Sequence, residues 1–342
     1  MKIYSFIFML CLVPFLAEAC QICLPMPKES AADRLLSSEV VAFARENPDK
    51  PFSLKITEVL KGDPASQEID LFLDSRSRRL LAMDPSRKIL CVYTKEKGWV
   101  RSGLSDAEGI YEKLVRDILK QAETWKRSPD ARPLFFSRFL GHDDPQLRQL
   151  AHLEVARAPY SAIKELGDVV PIKKIRAFLD DNRYLEWHAL YILLLAQSVD
   201  EKDHERIRRQ ARSEMVFGLN DRFSAWATAW IEIDRSEAIQ FYKQRYLANP
   251  DRDPELVHAV VSAMSVHGDG VMRNQISDAF AMLLKTHPVL TPVIAQDLIR
   301  WQHWELLEQV IAVTGEDYLN LELADYLKLR AYRLTKKNQD AP

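Results

Sequence analysis

Apolar and polar residues alternate with a period of two between residues 38 and 103, and with a helical period from Asp106 onward. Phe52, Leu54 and Ile56 alternate with Ser53, Lys55 and Thr57, and Ile69, Leu71 and Leu73 with Asp70, Phe72 and Asp74. This is the pattern of half-buried strands. Val40 to Phe43 and Ile89 to Tyr93 are continuous apolar runs, suited to strands covered on both faces. Turns fall at Lys61-Gly62-Asp63-Pro64 and Asp84-Pro85-Ser86. The spacing predicts about five short antiparallel strands forming a small barrel or sandwich. Beyond Asp106, Tyr111, Leu114, Val115, Ile118 and Leu119 make one apolar helical face, and amphipathic segments follow to the end. The fold class is therefore α+β, with a β-barrel ahead of an all-helical region. Residues 20–105 form the first domain, 106–336 the second, and 337–342 a disordered tail.

The helical region contains a weak internal echo. Leu140, Leu179 and Leu219, about 40 residues apart, each precede an acidic or Asn-containing loop and then a helix with alanine on its packing face. Those helices carry Leu147 and Ala151, Leu185 and Ala189, and Ala225 and Ala229. Asp253-Pro254-Glu255-Leu256 repeats Asp144-Pro145-Gln146-Leu147. The pattern resembles HEAT-type helical repeats. The resemblance implies a solenoid in which small residues let stacked helices approach closely, leaving a long surface for a protein or peptide partner.

The amino terminus adds an address. Lys2, an apolar run from Ile3 to Leu16, and Ala17-Glu18-Ala19 read as a signal peptide over residues 1–19, cleaved before Cys20. The run is shorter than the roughly 20 residues that span a bilayer. The expected location is the periplasm or the extracellular space. Free release is favoured over a lipid anchor at Cys20, because Ala17 and Glu18 depart from the Leu-containing run that precedes a lipidated cysteine.

Export permits disulfides. The mature chain keeps Cys20, Cys23 and Cys91. They allow a Cys20–Cys23 ring or a bridge from either to Cys91. The second is favoured, since it ties down a terminus that otherwise frays. Cys20-x-x-Cys23 is also the spacing of thiol exchange, but it sits on an arm ahead of any strand or helix, outside the context that activates a thiolate. A mature amino-terminal cysteine, a second cysteine close by and a small barrel with a Leu-Lys-Gly-Asp turn together resemble tissue inhibitors of metalloproteases and the related netrin-like modules. That resemblance implies an OB-type barrel. It also implies a free amine at Cys20 directed at the zinc of a target protease.

Charge and motifs narrow the remaining choices. A formal net charge of -2 gives no global attraction for nucleic acid. Arg76, Arg78 and Arg79 form one local basic patch, a candidate binding surface on the barrel or else a solvated loop. The eight histidines show no zinc-ligand spacing, and no nucleophile elbow, phosphate loop or dinucleotide fingerprint occurs. Asp143-Asp144 and Asp180-Asp181 fall where helices start and are read as caps. Trp301-Gln302-His303-Trp304 is the candidate anchor, because adjacent residues cannot all face one core. The expectation is an exported, non-catalytic binding protein without cofactor or metal. Protease inhibition through Cys20 and thiol exchange through Cys20 and Cys23 are the alternatives.

Overall fold

The computed structural model describes residues 29–105, 109–213, 220–314 and 323–339. The expected signal peptide, Cys20 and Cys23 lie outside them. An antiparallel five-stranded sheet comes first, followed by an all-helical region. In chain order the β part comprises α1 (Ala31–Ser37), β1 (Val40–Glu46), β2 (Leu54–Lys61), β3 (Glu68–Ile69), α2 (Ser75–Met83), β4 (Ile89–Thr94) and β5 (Gly98–Leu104). The strand order is β3-β2-β1-β4-β5. Register shifts at Val41/Ala42, Phe43/Ala44 and Leu90/Cys91 bend the ladder, so the sheet curls into a half-barrel. Among the described residues β3 and β5 remain its two edges.

The apolar runs in β1 and β4 are explained by burial on both faces. Val41, Phe43, Leu90 and Val92 point into the core shared with the helical region. Ala42, Ala44, Ile89 and Cys91 point the other way, under Leu81 of α2. The basic patch is therefore not a loop. Asp74 accepts a hydrogen bond from the Ser77 backbone N–H at 2.9 Å, and this cap starts α2 after residues 70–74, which are neither strand nor helix although the alternating pattern predicted strand there. Strand β3 is correspondingly short, and Leu73 is buried just ahead of the cap.

The helical region comprises α3 (Ile110–Arg127), α4 (Ala131–Ser137), α5 (Pro145–Ala156), α6 (Tyr160–Glu165), α7 (Ile172–Leu179), α8 (His188–Leu195), α9 (Glu201–Arg212) and α10 (Asn220–Asp234). It continues through α11 (Ser236–Tyr242), α12 (Pro254–Ser265), α13 (Arg273–Thr286), α14 (Thr291–Arg300), α15 (Leu307–Thr314) and α16 (Leu323–Gln339). Helix α16 thus includes residues 337–339 of the expected tail. Helices α8, α10, α12, α14 and α16 each pack on the next, and α11, α13 and α15 form a second row. Among the described residues no helix is long and apolar enough to cross a membrane.

This layering is compatible with a helical repeat. His152–Tyr191, Thr228–His267, Ser236–Gln275 and Leu247–Thr286 are hydrogen-bonded pairs separated by 39 positions. Ala151, Ala189, Ala225 and Ala229 are all buried where helices meet, as is Leu147. Leu185 differs. It lies on a 3-10 turn, Asn182–Trp187, and is 44% exposed.

The break near residue 106 separates two periodicities, and one of the two apolar clusters spans it. Leu114, Val115 and Ile118 of α3 share one apolar cluster with β1 and β4. Arg116 of α3 makes a two-pronged contact with Glu58 of β2 at 2.7 and 2.8 Å. On the opposite side, Asp33 of α1 receives hydrogen bonds from Arg132 and Arg157 at 2.6 and 2.5 Å.

Candidate functional site

Cys20, Cys23 and Leu219 lie outside the described residues; the other candidate residues singled out from the sequence have definite places. Cys91 is fully buried in β4, and burial pushes its thiol up to about 12. Such a thiol is a poor nucleophile. Among the described residues it has no cysteine partner, and Cys20 and Cys23, the partners expected for it, lie outside them. Arg78 pairs with Glu46 at 2.6 Å and lies 4.6 Å from the centre of the Phe52 ring. Arg76 and Arg79 are exposed on α2.

Trp301 is not a surface anchor. It is 3% exposed and stacks on Phe280 at 5.8 Å. Trp304 is half-buried, 5.5 Å from Tyr332. Both rings can turn inward because the helix does not continue. Trp301 closes α14, and Gln302 takes a left-handed backbone, φ 53°, so Trp304 leaves from a new turn.

The structure builds a different site, around His152. Asp144 caps α5 by accepting from the Gln146 and Leu147 backbone N–H groups at 2.7 and 3.1 Å. That start phases the helix so that Leu147, Ala151, His152 and Val155 all face inward. The His152 Nδ1 lies 2.7 Å from the Arg148 carbonyl, which can only accept, so Nδ1 carries the hydrogen. Nε2 then accepts from the Tyr191 hydroxyl at 2.6 Å. Four aromatic rings surround the imidazole: Trp187 at 4.9 Å, Tyr191 at 5.6 Å, Tyr184 at 6.1 Å and Phe178 at 6.2 Å.

The second wall comes from the 3-10 turn. Asp181 caps it by accepting from the Arg183 N–H at 2.9 Å, as the acidic-pair reading expected. Tyr184 departs from helical geometry, φ −104° and ψ 16°. Between this turn and α5 opens a cavity of about 270 Å³, lined by Arg148, Gln149, His152, Tyr184, Glu186 and Trp187, with Arg183 also contributing. The Arg148 guanidinium donates to the His142 and Asp143 carbonyls at 2.6 and 3.1 Å, which holds it in place.

Comparisons with protein-family models, with curated proteins and with solved structures found no match for this chain.

The pocket's chemistry follows from its geometry. Burial pushes His152 down to about 4, outweighing the hydrogen bond to the Arg148 carbonyl. The ring is neutral near pH 7, and both nitrogens are occupied. It holds the aromatic wall in shape and has no free position from which to transfer a proton. His267 repeats the theme farther along. It is buried, with Nε2 3.2 Å from the Thr228 carbonyl, and burial pushes it down to about 4 as well. Among the described residues, no three His, Cys, Asp or Glu side chains converge as a metal site.

A pH dependence follows. Between pH 6.5, the ordinary histidine value, and about pH 4, the unfolded chain takes up a proton that folded His152 refuses. The His152 contribution to stability should therefore fall as pH drops through this window and level off below it. His152 alone accounts for roughly 3 kcal/mol of that fall. Urea unfolding of the parent and of His152→Gln across the window checks this, with the variant expected to show a shallower slope. Identical slopes would remove His152 as the cause.

None of these residues carries a motif. His152 is one of eight scattered histidines, and its partners Trp187 and Tyr191 lie on other elements. The signal available in the sequence was positional, since Tyr191 stands one repeat step after His152.

Proposed function

We propose that the protein is an exported, non-catalytic binding module, with a HEAT-like helical stack as its recognition surface. The His152 pocket is its anchor for a protein partner. The observation that carries this reading is the preformed aromatic wall, held by hydrogen bonds on both nitrogens of a neutral histidine. Pre-organisation of this kind lowers the ordering cost of binding. Flat rings at Tyr184 and Trp187 suit an apolar or aromatic side chain. Arg148, whose guanidinium is held by backbone carbonyls, favours an acidic neighbour beside it, while Arg183 is paired with Asp181 at 2.6 Å. Leu185, exposed on the same turn, adds apolar contact area. The export reading rests on residues 1–19 and the cleavage sequence ahead of Cys20.

The test places a photo-crosslinking residue at Gln149, in the pocket, and separately at Val199, which is 99% exposed elsewhere. Exported chain beginning at Cys20 should give a discrete adduct from position 149 and none from 199. Arg183→Glu, at a side chain that is 85% exposed, should suppress the adduct without unfolding the chain. Equal adducts from both positions, or indifference to Arg183→Glu, would overturn the assignment.

A further inference from the structure

A larger cavity, about 430 Å³, lies where α2 and β5 meet the start of α5. Arg76, Arg101, Asp74, Leu80 and Leu104 line it, and Gln146 contributes from the helical side. Its arginines are unequal. Arg101 is fixed, since its Nη1 donates to Asp74 at 2.9 Å and to the Ser77 hydroxyl at 2.6 Å. A guanidinium has five N–H donors. Those on Nη2 and Nε of Arg101 meet no acceptor among the described residues. Arg76 is exposed and has no ion-pair or hydrogen-bond partner among the described residues. Asp74 is already engaged, accepting from the Ser77 N–H, the Ser77 hydroxyl and Arg101. Two guanidinium groups thus face one committed carboxylate, next to two leucines.

We propose that this cleft binds a small ligand with an oxyanion head, a carboxylate or a phosphate ester, on a short apolar stem. The head takes the unused donors of Arg101 and the free guanidinium of Arg76, since planar N–H pairs match oxyanions in two-pronged fashion. The stem lies on Leu80 and Leu104. The volume is that of an ordinary small-molecule site. Because Gln146 belongs to α5, the ligand would touch both parts of the chain. The site is separate from the His152 pocket and does not depend on the function proposed for it.

Calorimetric titration of the full folded chain with hexyl phosphate, hexanoate and inorganic phosphate tests the proposal. Saturable binding of hexyl phosphate assigns a phosphate ester, and of hexanoate a carboxylate. Binding of neither below about 10 mM overturns the site. Inorganic phosphate, lacking the stem, should bind about tenfold more weakly than hexyl phosphate. Equal affinity means an adventitious ion only and overturns the stem. Arg76→Gln should weaken binding about tenfold, while Arg79→Gln, exposed on the same helix but outside the cleft, should leave it unchanged. Equal losses from both variants would show general surface charge in place of a site.

Discussion

Arg132→Met should lower the stability of the whole chain by about 3–5 kcal/mol, read as a drop in the urea midpoint with an unchanged slope. Arg132 contacts Glu154 at 2.7 and 3.0 Å and Asp33 at 2.6 Å. The Glu154 side chain is 2% exposed, so removal of the guanidinium leaves its carboxylate buried and unpaired. Asp33 keeps Arg157. The expected loss therefore comes from the stranded Glu154 more than from the weight of the ion pairs themselves. The double variant Arg132→Met/Glu154→Leu should recover most of it, because an apolar pair of similar volume avoids the desolvation cost. A single variant as stable as the parent would show that this clasp carries no load.

The same clasp has an acid limb of its own. Burial raises the Asp33 carboxyl, but the Ser30 N–H and the guanidinium groups of Arg157 and Arg132 outweigh burial and hold it at about 2. Its contribution is fully present above the ordinary aspartate value of 3.8 and is lost as pH falls toward 2. That window lies below the one assigned to His152, so the two can be told apart. Asp33 also completes the cap of α1, accepting from the Ser30 N–H while its own N–H bonds the Ser30 hydroxyl. One carboxylate thus starts the first helix and ties it to α4 and to the end of α5. The β part and the helices should accordingly unfold together.

Trp301→Ala should cost about 3–5 kcal/mol, the range for deleting a large buried ring. Trp301 stacks on Phe280, and its ring fills the space beside Gly268. A Cβ built there would fall 2.0 Å from the ring, so the glycine is required by the tryptophan. Trp304→Ala should cost less, because its ring is only partly buried. Thermal melts of the two single variants distinguish the cases. A Trp301→Ala protein that melts with the parent would contradict the packing. Gly268→Ala offers an independent check, since overfilling the same space should also destabilise, by about 1–3 kcal/mol.

Much of the architecture was legible from periodicity alone. The continuous apolar runs at Val40 to Phe43 and Ile89 to Tyr93 marked strands buried on both faces, and the small residues Ala151, Ala189, Ala225 and Ala229 marked helix contacts. Asp144 and Asp181 are helix caps, as their positions suggested. Leu185 misled, because a 3-10 turn carries it on a different phase from the alanine four residues on. The α2 segment misled for a similar reason: Asp74 ends one pattern and begins another in a single residue.

Local interactions account for what the chain announces by itself. Strand alternation, helical stripes and caps depend on neighbours within a few positions, so element type and order can be read along the chain. Proximity between distant elements leaves no such mark. That Asp33 meets Arg132 and Arg157, that Tyr191 closes on His152, and that Gln146 faces Arg76 and Arg101 across a cleft were all decided by how the sheet docks on α3 and how the helix rows stack. Docking is set by the shapes of whole apolar faces. It brings side chains together at sequence separations over which no local pattern persists.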